Sequence, residues 1–251
     1  IEFLDNGLLA QFHGYGELGE IDLDDYRLRY GNIGRLDLIL EAEHDSCANY
    51  KVSKQADILM LLYLFTAEEL TGLLAGMGYE FDPNTIPATV DYYLARTTHG
   101  STLSRVAHAW VLARGHRRDS WEMLRESCTA DLVDSQHGTT REGIHLGAMA
   151  GSVDILQRCY TGIDVWGDTL RLHPQLPNEL RSLELNLRYR DHWIHLRCDQ
   201  TSTTVTTRPS TAPPIRISID GRIFTLEGGE TVVAAVELTR GADLRPVPRP
   251  G

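Results

Sequence analysis

Polar residues at the start of an apolar run could bind a sugar. Lys54 and Gln55 directly precede the apolar stretch that runs from Ile58 to Leu62. An amine and an amide that enter a buried segment need hydrogen-bond partners, and the hydroxyls of a bound sugar would supply them. The same two residues could instead be solvated at the N-terminus of a helix, so both interpretations stay open at this point.

A second polar cluster, residues 97–104, surrounds Gly100 with small hydroxyl residues just before a helical pattern. His99, Ser101 and Thr102 could direct several hydrogen-bond donors at one point, and a helix N-terminus adds positive partial charge. This combination suits a phosphate or another oxyanion. The segment does not have the GxxxxGK[ST] pattern of a nucleotide-binding loop, and a plain helix-capping loop is the alternative.

A third cluster, residues 136–145, contains two glycines, two threonines, two histidines and a glutamate. A connection between helices does not require so many functional groups. His137, with the turn at Gly138 and Thr139, or His145 could hydrogen-bond an anion or a sugar hydroxyl. A lone histidine on a helix is more often a satisfied core residue, but the polar neighbours here favour the functional interpretation.

The patterns of several other catalytic sites are absent from the sequence. It has no HxxxH, HExxH or CxxC spacing, which argues against a zinc or thioredoxin-like site. It also has no GxSxG elbow of a serine hydrolase. We expect four reduced, structural cysteines in a cytosolic protein, namely Cys47, Cys128, Cys159 and Cys198.

The composition is that of an ordinary globular protein, with a strongly acidic balance. Of 251 residues, 42% are hydrophobic and 24% are charged, and the formal net charge is -11. An acidic field repels polyanions, so we expect neither nucleic acid nor an anionic membrane as a partner. A phosphate site in such a chain must be local and built from backbone N–H groups and hydroxyls. The sequence also has no signal-peptide pattern and no membrane-spanning apolar run.

Two kinds of structure must position the clusters. The apolar spacing is helical over about residues 35–162 and strand-like over about residues 168–238. This succession predicts separate helical and β domains rather than an alternating parallel α/β fold. We place the domains at residues 1–165 and 166–240, and we expect a loose tail at residues 241–251.

Local signals refine these elements. Thr66 with the following acids, and Asp82 before Pro83, are typical of helix starts, and Gly115 is typical of a helix end. Asp220-Gly221 predicts a two-residue hairpin turn. The predicted helices are residues 35–44, 53–65, 67–77, 83–94, 103–115, 120–130 and 144–161. The predicted strands are residues 183–189, 193–198, 203–207, 215–219, 222–226 and 231–236.

The three polar clusters resemble, in order and spacing, the motifs of a glycoside hydrolase family that contains maltose, trehalose and kojibiose phosphorylases. The matching segments are residues 50–57, 96–104 and 138–149. Residues 172–177 resemble the entry into that family's C-terminal β domain. The resemblance covers nearly the whole chain, and three ordered motifs argue against a chance similarity.

The resemblance implies a mainly α fold with a β domain, namely the second half of an (α/α)6 barrel followed by a small antiparallel β-sandwich. It also implies an enzyme without metal or organic cofactor, and the cysteines lead us to expect a cytoplasmic location. Members of the family cleave an α-glucoside with inorganic phosphate as co-substrate and invert the anomeric configuration, which yields β-glucose 1-phosphate. The sequence of the second motif favours a trehalose-type member, and a maltose-type substrate stays open.

The resemblance also implies roles for individual residues. Lys54 and Gln55 match the pair that holds the glucosyl unit, and His145 is a further substrate-binding candidate. The residues that match the phosphate-binding loops, some of them more weakly, are His99, Ser101, Thr102, His137, Gly138 and Thr139.

The residue types agree with phosphate as the nucleophile. An inverting glycosidase needs a general acid and a carboxylate base that activates water. Phosphate is already nucleophilic, so donors that position the anion can replace the base. Hydroxyls and glycines in the second cluster therefore favour phosphorolysis over hydrolysis, and Glu142 is the nearest carboxylate that could act otherwise.

The family's catalytic glutamate belongs to a segment N-terminal to everything present here, so we assign no catalytic residue to this chain. The predicted helices make about half of a twelve-helix barrel. The expected partners are therefore a disaccharide, phosphate and the N-terminal half of the barrel, on a missing segment or a partner chain, and a homodimer stays open. The alternatives are a trehalase-like hydrolase of the same fold and a non-catalytic carbohydrate-binding fragment.

Overall fold

A computed structural model describes residues 1–113, 116–133 and 139–236. Within these ranges the chain divides into two units. Residues 1–111 and 123–149 form the first, and residues 112–122 and 150–236 form the second.

Helices occupy the described chain up to residue 154. They are α1 (Leu23–Tyr30), α2 (Leu36–Ala42), α3 (Asp57–Leu64), α4 (Ala67–Gly76), α5 (Ile86–Leu94), α6 (Thr102–Leu112), α7 (Arg117–Thr129) and α8 (Leu146–Asp154). In the described chain, no single helix is long and apolar enough to cross a membrane, although the bent pair α3 and α4 would pass by length and composition alone.

Local capping explains where several helices begin. At α4, the Thr66 hydroxyl accepts from the Glu69 backbone N–H, and the Glu69 carboxylate accepts from the Thr66 backbone N–H. Such a capping box satisfies two N–H groups that a helix start leaves without partners. At α1, the Asp22 side chain accepts from the backbone N–H groups of Asp24 and Asp25. Helix α1 was not predicted, because its mostly polar sequence lacks an apolar stripe.

Four predicted helices are confirmed, and three predicted segments differ in detail. Helices α2, α4, α6 and α7 lie where the spacing placed them, within three residues at each end. Residues 83–94 begin as a 3₁₀ turn, Pro83–Thr85, before α5. The segment at 144–161 leaves α-helical geometry after Asp154 and continues as a π-helical turn, Ile155–Cys159. The predicted helix end at Gly115 lies outside the described residues.

The prediction that a helix starts at Ser53 is wrong, because α3 begins only at Asp57. The Ser53 backbone N–H donates to the Arg96 carbonyl, and the Ser53 carbonyl accepts from the Thr98 N–H. These bonds use backbone groups that a helix would need.

The second unit contains two four-stranded sheets. Their strand orders are β1–β2–β6–β7 and β3–β4–β5–β8. The strands are β1 (Asp164–Trp166), β2 (Thr169–Leu172), β3 (Ser182–Tyr189), β4 (His192–Asp199), β5 (Ser202–Thr207), β6 (Ile215–Ile219), β7 (Arg222–Leu226) and β8 (Thr231–Ala235). Burial alternates along β4, β5 and β6, as it does when one face of a sheet is covered.

All six predicted strands are confirmed, but the expectation of a wholly antiparallel β domain is wrong. Strand β2 pairs with β6 in parallel, because the chain runs through the other sheet between them. Strands β1 and β2 were missed, since three or four residues are too few to show a period. The hairpin at Asp220-Gly221 is confirmed, with φ values of 47° and 80°, the left-handed pair that a type I′ turn requires.

Candidate functional site

Backbone pairing places the first polar cluster beside the second. The Ser53 N–H lies 3.0 Å from the Arg96 carbonyl oxygen, and the Thr98 N–H lies 3.0 Å from the Ser53 carbonyl oxygen. Ser53 and Thr97 thereby form an isolated parallel bridge. Lys54 follows this bridge on one strand of chain and His99 follows on the other, so the two clusters continue side by side.

Gly100 is the point of closest contact between these segments. A Cβ atom at this position would lie 2.1 Å from the Gly34 carbonyl oxygen and 2.7 Å from Cγ of Lys54. No side chain larger than hydrogen fits without a shift of backbone. Gly100 is buried, whereas Lys54 is exposed and Gln55 is half-buried. The stem of Lys54 therefore lies against Gly100, and its amine stays accessible.

Helix α6 begins two residues after this glycine. Ser101 precedes its first residue, Thr102, and the Ser104 N–H donates to the Ser101 carbonyl over 3.1 Å. Thr102 is buried and Ser101 is half-buried. With eleven residues, α6 carries appreciable positive partial charge at this end. Two hydroxyls and the first N–H groups of the helix thus gather where an anion is best stabilised.

His99 has an unusual backbone conformation at the edge of this helix start. Its φ is 54°, in the left-handed region that side chains other than glycine rarely adopt. Its carbonyl accepts from Nη1 of Arg105 at 3.3 Å, and its Nδ1 lies 3.1 Å from Oγ of Ser104. Contacts from α6 therefore hold His99 in place.

In the third cluster, Asp131 organises the residues that the structure describes. Its Oδ2 accepts from the His145 backbone N–H at 2.9 Å, and its Oδ1 lies 2.5 Å from Nδ1 of the same histidine. The Thr140 hydroxyl donates to Oδ1 at 3.3 Å. The hydrogen bond from the His145 ring is the main cause that lowers the pKa of Asp131. Asp131 therefore stays ionised and fixes the orientation of His145.

Two other candidates of this cluster, His137 and Gly138, lie outside the described residues. Thr139 begins a 3₁₀ turn, Thr139–Glu142, and its side chain also lies outside them. Just after this cluster, Gly147 packs against Leu103 of the second cluster, since a Cβ atom at Gly147 would lie 3.1 Å from Cδ2 of Leu103. Within the described residues, no group of three His, Cys, Asp or Glu side chains could hold a metal ion.

Comparison with known proteins assigns the chain to a family. Residues 1–154 match the glycosyl hydrolase family 65 central catalytic domain, and residues 163–226 match the C-terminal domain of the same family. The chain belongs to glycosyl hydrolase family 65. The family inferred from the three motifs is thereby confirmed.

The similar proteins include one named only as a glycosyl hydrolase and two named as phosphorylases. An uncharacterized glycosyl hydrolase of Mycobacterium tuberculosis is 55% identical over 227 residues, which are 90% of this chain and 17% of the relative. Trehalose 6-phosphate phosphorylase of Lactococcus lactis is 37% identical over 187 residues, 74% of this chain and 24% of that protein. Alpha,alpha-trehalose phosphorylase of Thermoanaerobacter brockii is 27% identical and covers 77% of this chain and 23% of its own length.

A solved structure has the same fold as this chain. A human-microbiome protein provisionally named as a kojibiose phosphorylase superposes with a TM-score of 0.70 at 20% identity. The match covers 94% of this chain and 30% of that protein. The family 65 chain thus spans less than a third of the length of these relatives.

Sequence reasoning missed three polar residues of this family 65 site. Asp131 is not part of any of the three polar clusters and belongs to no recognisable motif, so no local pattern distinguishes it. Ser104 and His108 lie four residues apart and therefore on one face of α6, a signal that was available in the sequence. Both are almost fully buried, with exposures of 0% and 1%.

Proposed function

We propose that this chain is part of an inverting phosphorylase that transfers a glucosyl unit from an α-linked disaccharide to inorganic phosphate, which yields β-glucose 1-phosphate. The observation that carries the proposal is the pairing that sets Lys54 beside the hydroxyl-rich start of α6. A sugar-binding amine next to an anion-binding helix start is the arrangement that direct attack by phosphate needs.

Each candidate residue has a role in this proposal. Lys54 and Gln55 hold the glucosyl unit, and His145, oriented by Asp131, contacts the substrate. The phosphate is bound by the loop before α6 and by the turn in the third cluster, through His99, Ser101, Thr102, His137, Gly138 and Thr139.

The reaction has a simple balance. A phosphate oxygen bonds to the anomeric carbon from the face opposite the leaving group while the glycosidic C–O bond breaks, and this inverts the configuration. The departing oxygen takes a proton from a general acid, which we propose to be a glutamate on a part of the protein outside this chain. The donors at residues 99–102 position the anion and stabilise its charge, so a carboxylate base is not required.

Exposed apolar residues in the first unit support a larger catalytic domain. Leu28, Leu132 and Leu146 are 87%, 84% and 70% exposed, which is costly for side chains of this size. We propose that the described helices form half of an (α/α)6 barrel and that additional chain covers these side chains. The greater length of the relatives agrees with this arrangement.

We propose a trehalose-type substrate. The second motif favours trehalose-type members, and the relative that is 37% identical is named a trehalose 6-phosphate phosphorylase. Trehalose and its 6-phosphate share the glucosyl unit that Lys54 and Gln55 would bind. They differ in the other sugar, so both belong in the test.

The test is cleavage of trehalose 6-phosphate, trehalose, maltose and kojibiose by the full-length protein, with and without phosphate. We expect release of β-glucose 1-phosphate from one trehalose-type substrate, only when phosphate is present. Release of free glucose at the same rate without phosphate would show a hydrolase instead. Turnover of maltose or kojibiose alone would refute the substrate and leave the reaction intact.

A further inference from the structure

Two buried polar side chains of α6 lie behind the loop that holds His99. Ser104 and His108 are one helical turn apart and almost completely buried. The rings of His99 and His108 meet edge to face, with centroids 4.5 Å apart. Burial of a serine hydroxyl and an imidazole is unfavourable unless both form hydrogen bonds.

The hydrogen bonds of His108 determine where its proton lies. Its Nδ1 is 2.6 Å from the Ser104 carbonyl oxygen, and a carbonyl can only accept. Nδ1 therefore carries the proton. Burial lowers the pKa of His108 to about 4, so the ring is neutral near pH 7. Its Nε2 is then an unprotonated acceptor, and it is buried without a hydrogen-bond partner among the described residues.

The position of this proton constrains the Ser104 hydroxyl. Oγ lies 3.3 Å from Nδ1 of His108 and 3.1 Å from Nδ1 of His99. Since the first of these nitrogens already carries a proton, Oγ can only accept from it. A hydroxyl oxygen can accept two hydrogen bonds, but its buried proton also needs an acceptor. Among the described contacts of Oγ, only Nδ1 of His99 can accept it, so the hydroxyl proton is donated to that nitrogen. In a neutral imidazole this leaves the proton of His99 on Nε2.

His99 itself is kept neutral, so its tautomer decides which ring nitrogen can donate a hydrogen bond. Burial, the neighbouring His108, Arg105 and Arg27 together lower the pKa of His99 well below its usual range. A protonated ring would donate from both nitrogens whatever its surroundings. A neutral ring donates from one nitrogen only, and the contacts that the structure describes for its side-chain nitrogens use Nδ1.

We propose that Ser104 and His108 are positioning residues that hold His99 as the Nε2–H tautomer, so that His99 offers a hydrogen-bond donor to the phosphate at the start of α6. The direction of donation runs from His108 to Ser104 and from Ser104 to His99. The identity of the anion rests on the proposed function, whereas the tautomer rests on the hydrogen-bond geometry and on the burial that keeps both rings neutral.

The kinetic test uses variants of the full-length protein. Ser104→Ala removes the donor to His99, and His108→Phe keeps a ring but removes the donor to the Ser104 carbonyl. We expect each to raise KM for phosphate roughly five- to tenfold, the worth of one hydrogen bond, with KM for the disaccharide changed less than about twofold. His108→Asn retains an N–H near the position of Nδ1 and should stay within about twofold of wild type.

A matched control separates positioning from general destabilisation. Ser127→Ala also removes a fully buried hydroxyl, but from α7, and it should leave KM for phosphate unchanged. Equal rises in KM for both substrates in Ser104→Ala would overturn the proposal, as would the same rise in Ser127→Ala.

A direct measurement of the tautomer is independent of the enzymatic reaction. In full-length protein labelled with ¹⁵N at histidine, the His99 signals are identified by their loss in His99→Gln. We expect the Nε2 signal to be that of a protonated nitrogen and the Nδ1 signal that of an unprotonated one. The reverse pattern contradicts the inference even if phosphorolysis is observed, while phosphate-independent hydrolysis with the expected pattern contradicts only the proposed function.

Discussion

The start of α6 and the sheet β3–β4–β5–β8 both bury polar side chains, but these side chains have different partners. In the sheet, Leu196, Cys198 and Val205 are fully buried on a face of the ordinary alternating kind. At the start of α6, the buried side chains include Thr102, Ser104 and His108. The sheet also buries His192 and Thr207, whose side chains contact the backbone carbonyls of Pro213 and Glu227. The polar groups of the sheet thus fix the backbone, whereas those at the start of α6 also bond to one another and to His99, as a site with directed donors requires.

The largest expected effect comes from Gly100→Ala, because the new Cβ would collide with the Gly34 carbonyl. The loop before α6 must then move, and a displacement of about 1 Å can reduce activity about a hundredfold. Turnover and thermal unfolding of the full-length variant check this. Gly72→Ala, where no atom lies within 4 Å, should retain activity and gain up to about 1 kcal/mol of stability. Wild-type turnover in Gly100→Ala would contradict the geometry of the loop.

Lys54→Ala tests whether the paired segment binds the sugar. Loss of a charged hydrogen bond to a sugar hydroxyl should raise KM for the disaccharide about ten- to a hundredfold, with a smaller change in KM for phosphate. Initial rates at varied concentrations of each substrate separate the two constants. Lys51→Ala is the control, since Lys51 pairs with Glu20 at 3.4 Å. Unchanged sugar affinity in Lys54→Ala would remove the basis for a glucosyl subsite.

Asp131→Asn extends the comparison to the third cluster. The amide is uncharged and accepts fewer hydrogen bonds, so His145 should lose its fixed orientation and activity should fall about tenfold. The pKa of Asp131 is lowered in the folded protein, so its ionised form stabilises the fold at neutral pH. This contribution should disappear as the pH falls through the lowered pKa. Unfolding measured against pH should therefore show wild type and variant converging in acid.

The control for that variant is Asp168→Asn, which removes an exposed ion pair with Arg216. Exposed pairs contribute little, so activity and stability should both be close to wild type. Parallel stability curves for wild type and Asp131→Asn across the acid range would contradict the role of the charge.

Asp199→Ala is expected to have the smallest effect on activity, because it lies at the end of β4 in the sheet. Its carboxylate accepts from the backbone N–H groups of Thr201 and Ser202, and these bonds lower its pKa to about 2. We expect a loss of about 1 kcal/mol of stability, without a change in either KM. The carboxylate stabilises the fold above about pH 4, and this is lost as the pH falls through about 2. A change in KM would mean that the sheet contributes to binding.

The local sequence predicted caps and turns well, because these structures depend on contacts between residues close in the chain. The acids after Thr66 and the Asp220-Gly221 pair predicted structures that depend on neighbouring residues only. Strand β1 and the parallel contact of β2 with β6 could not be predicted in this way, because short exposed strands have no period and pairing joins residues far apart. The four residues from Ser53 to Ala56 look helical in sequence, but the bridge of Ser53 to Thr97 outcompetes the helix.

The sequence by itself determined the types of chemistry available to this protein. Residue identities within short motifs identified the family and provided an amine, hydroxyls and imidazoles, with Glu142 as the nearest carboxylate. Only the tertiary structure decided which of these groups meet. Lys54 reaches Gly100 through pairing across about forty residues of chain, and Asp131 contacts His145, 14 residues away in the sequence. Hydrogen-bond direction and close packing depend on where atoms lie in space, and residue order alone does not specify those positions.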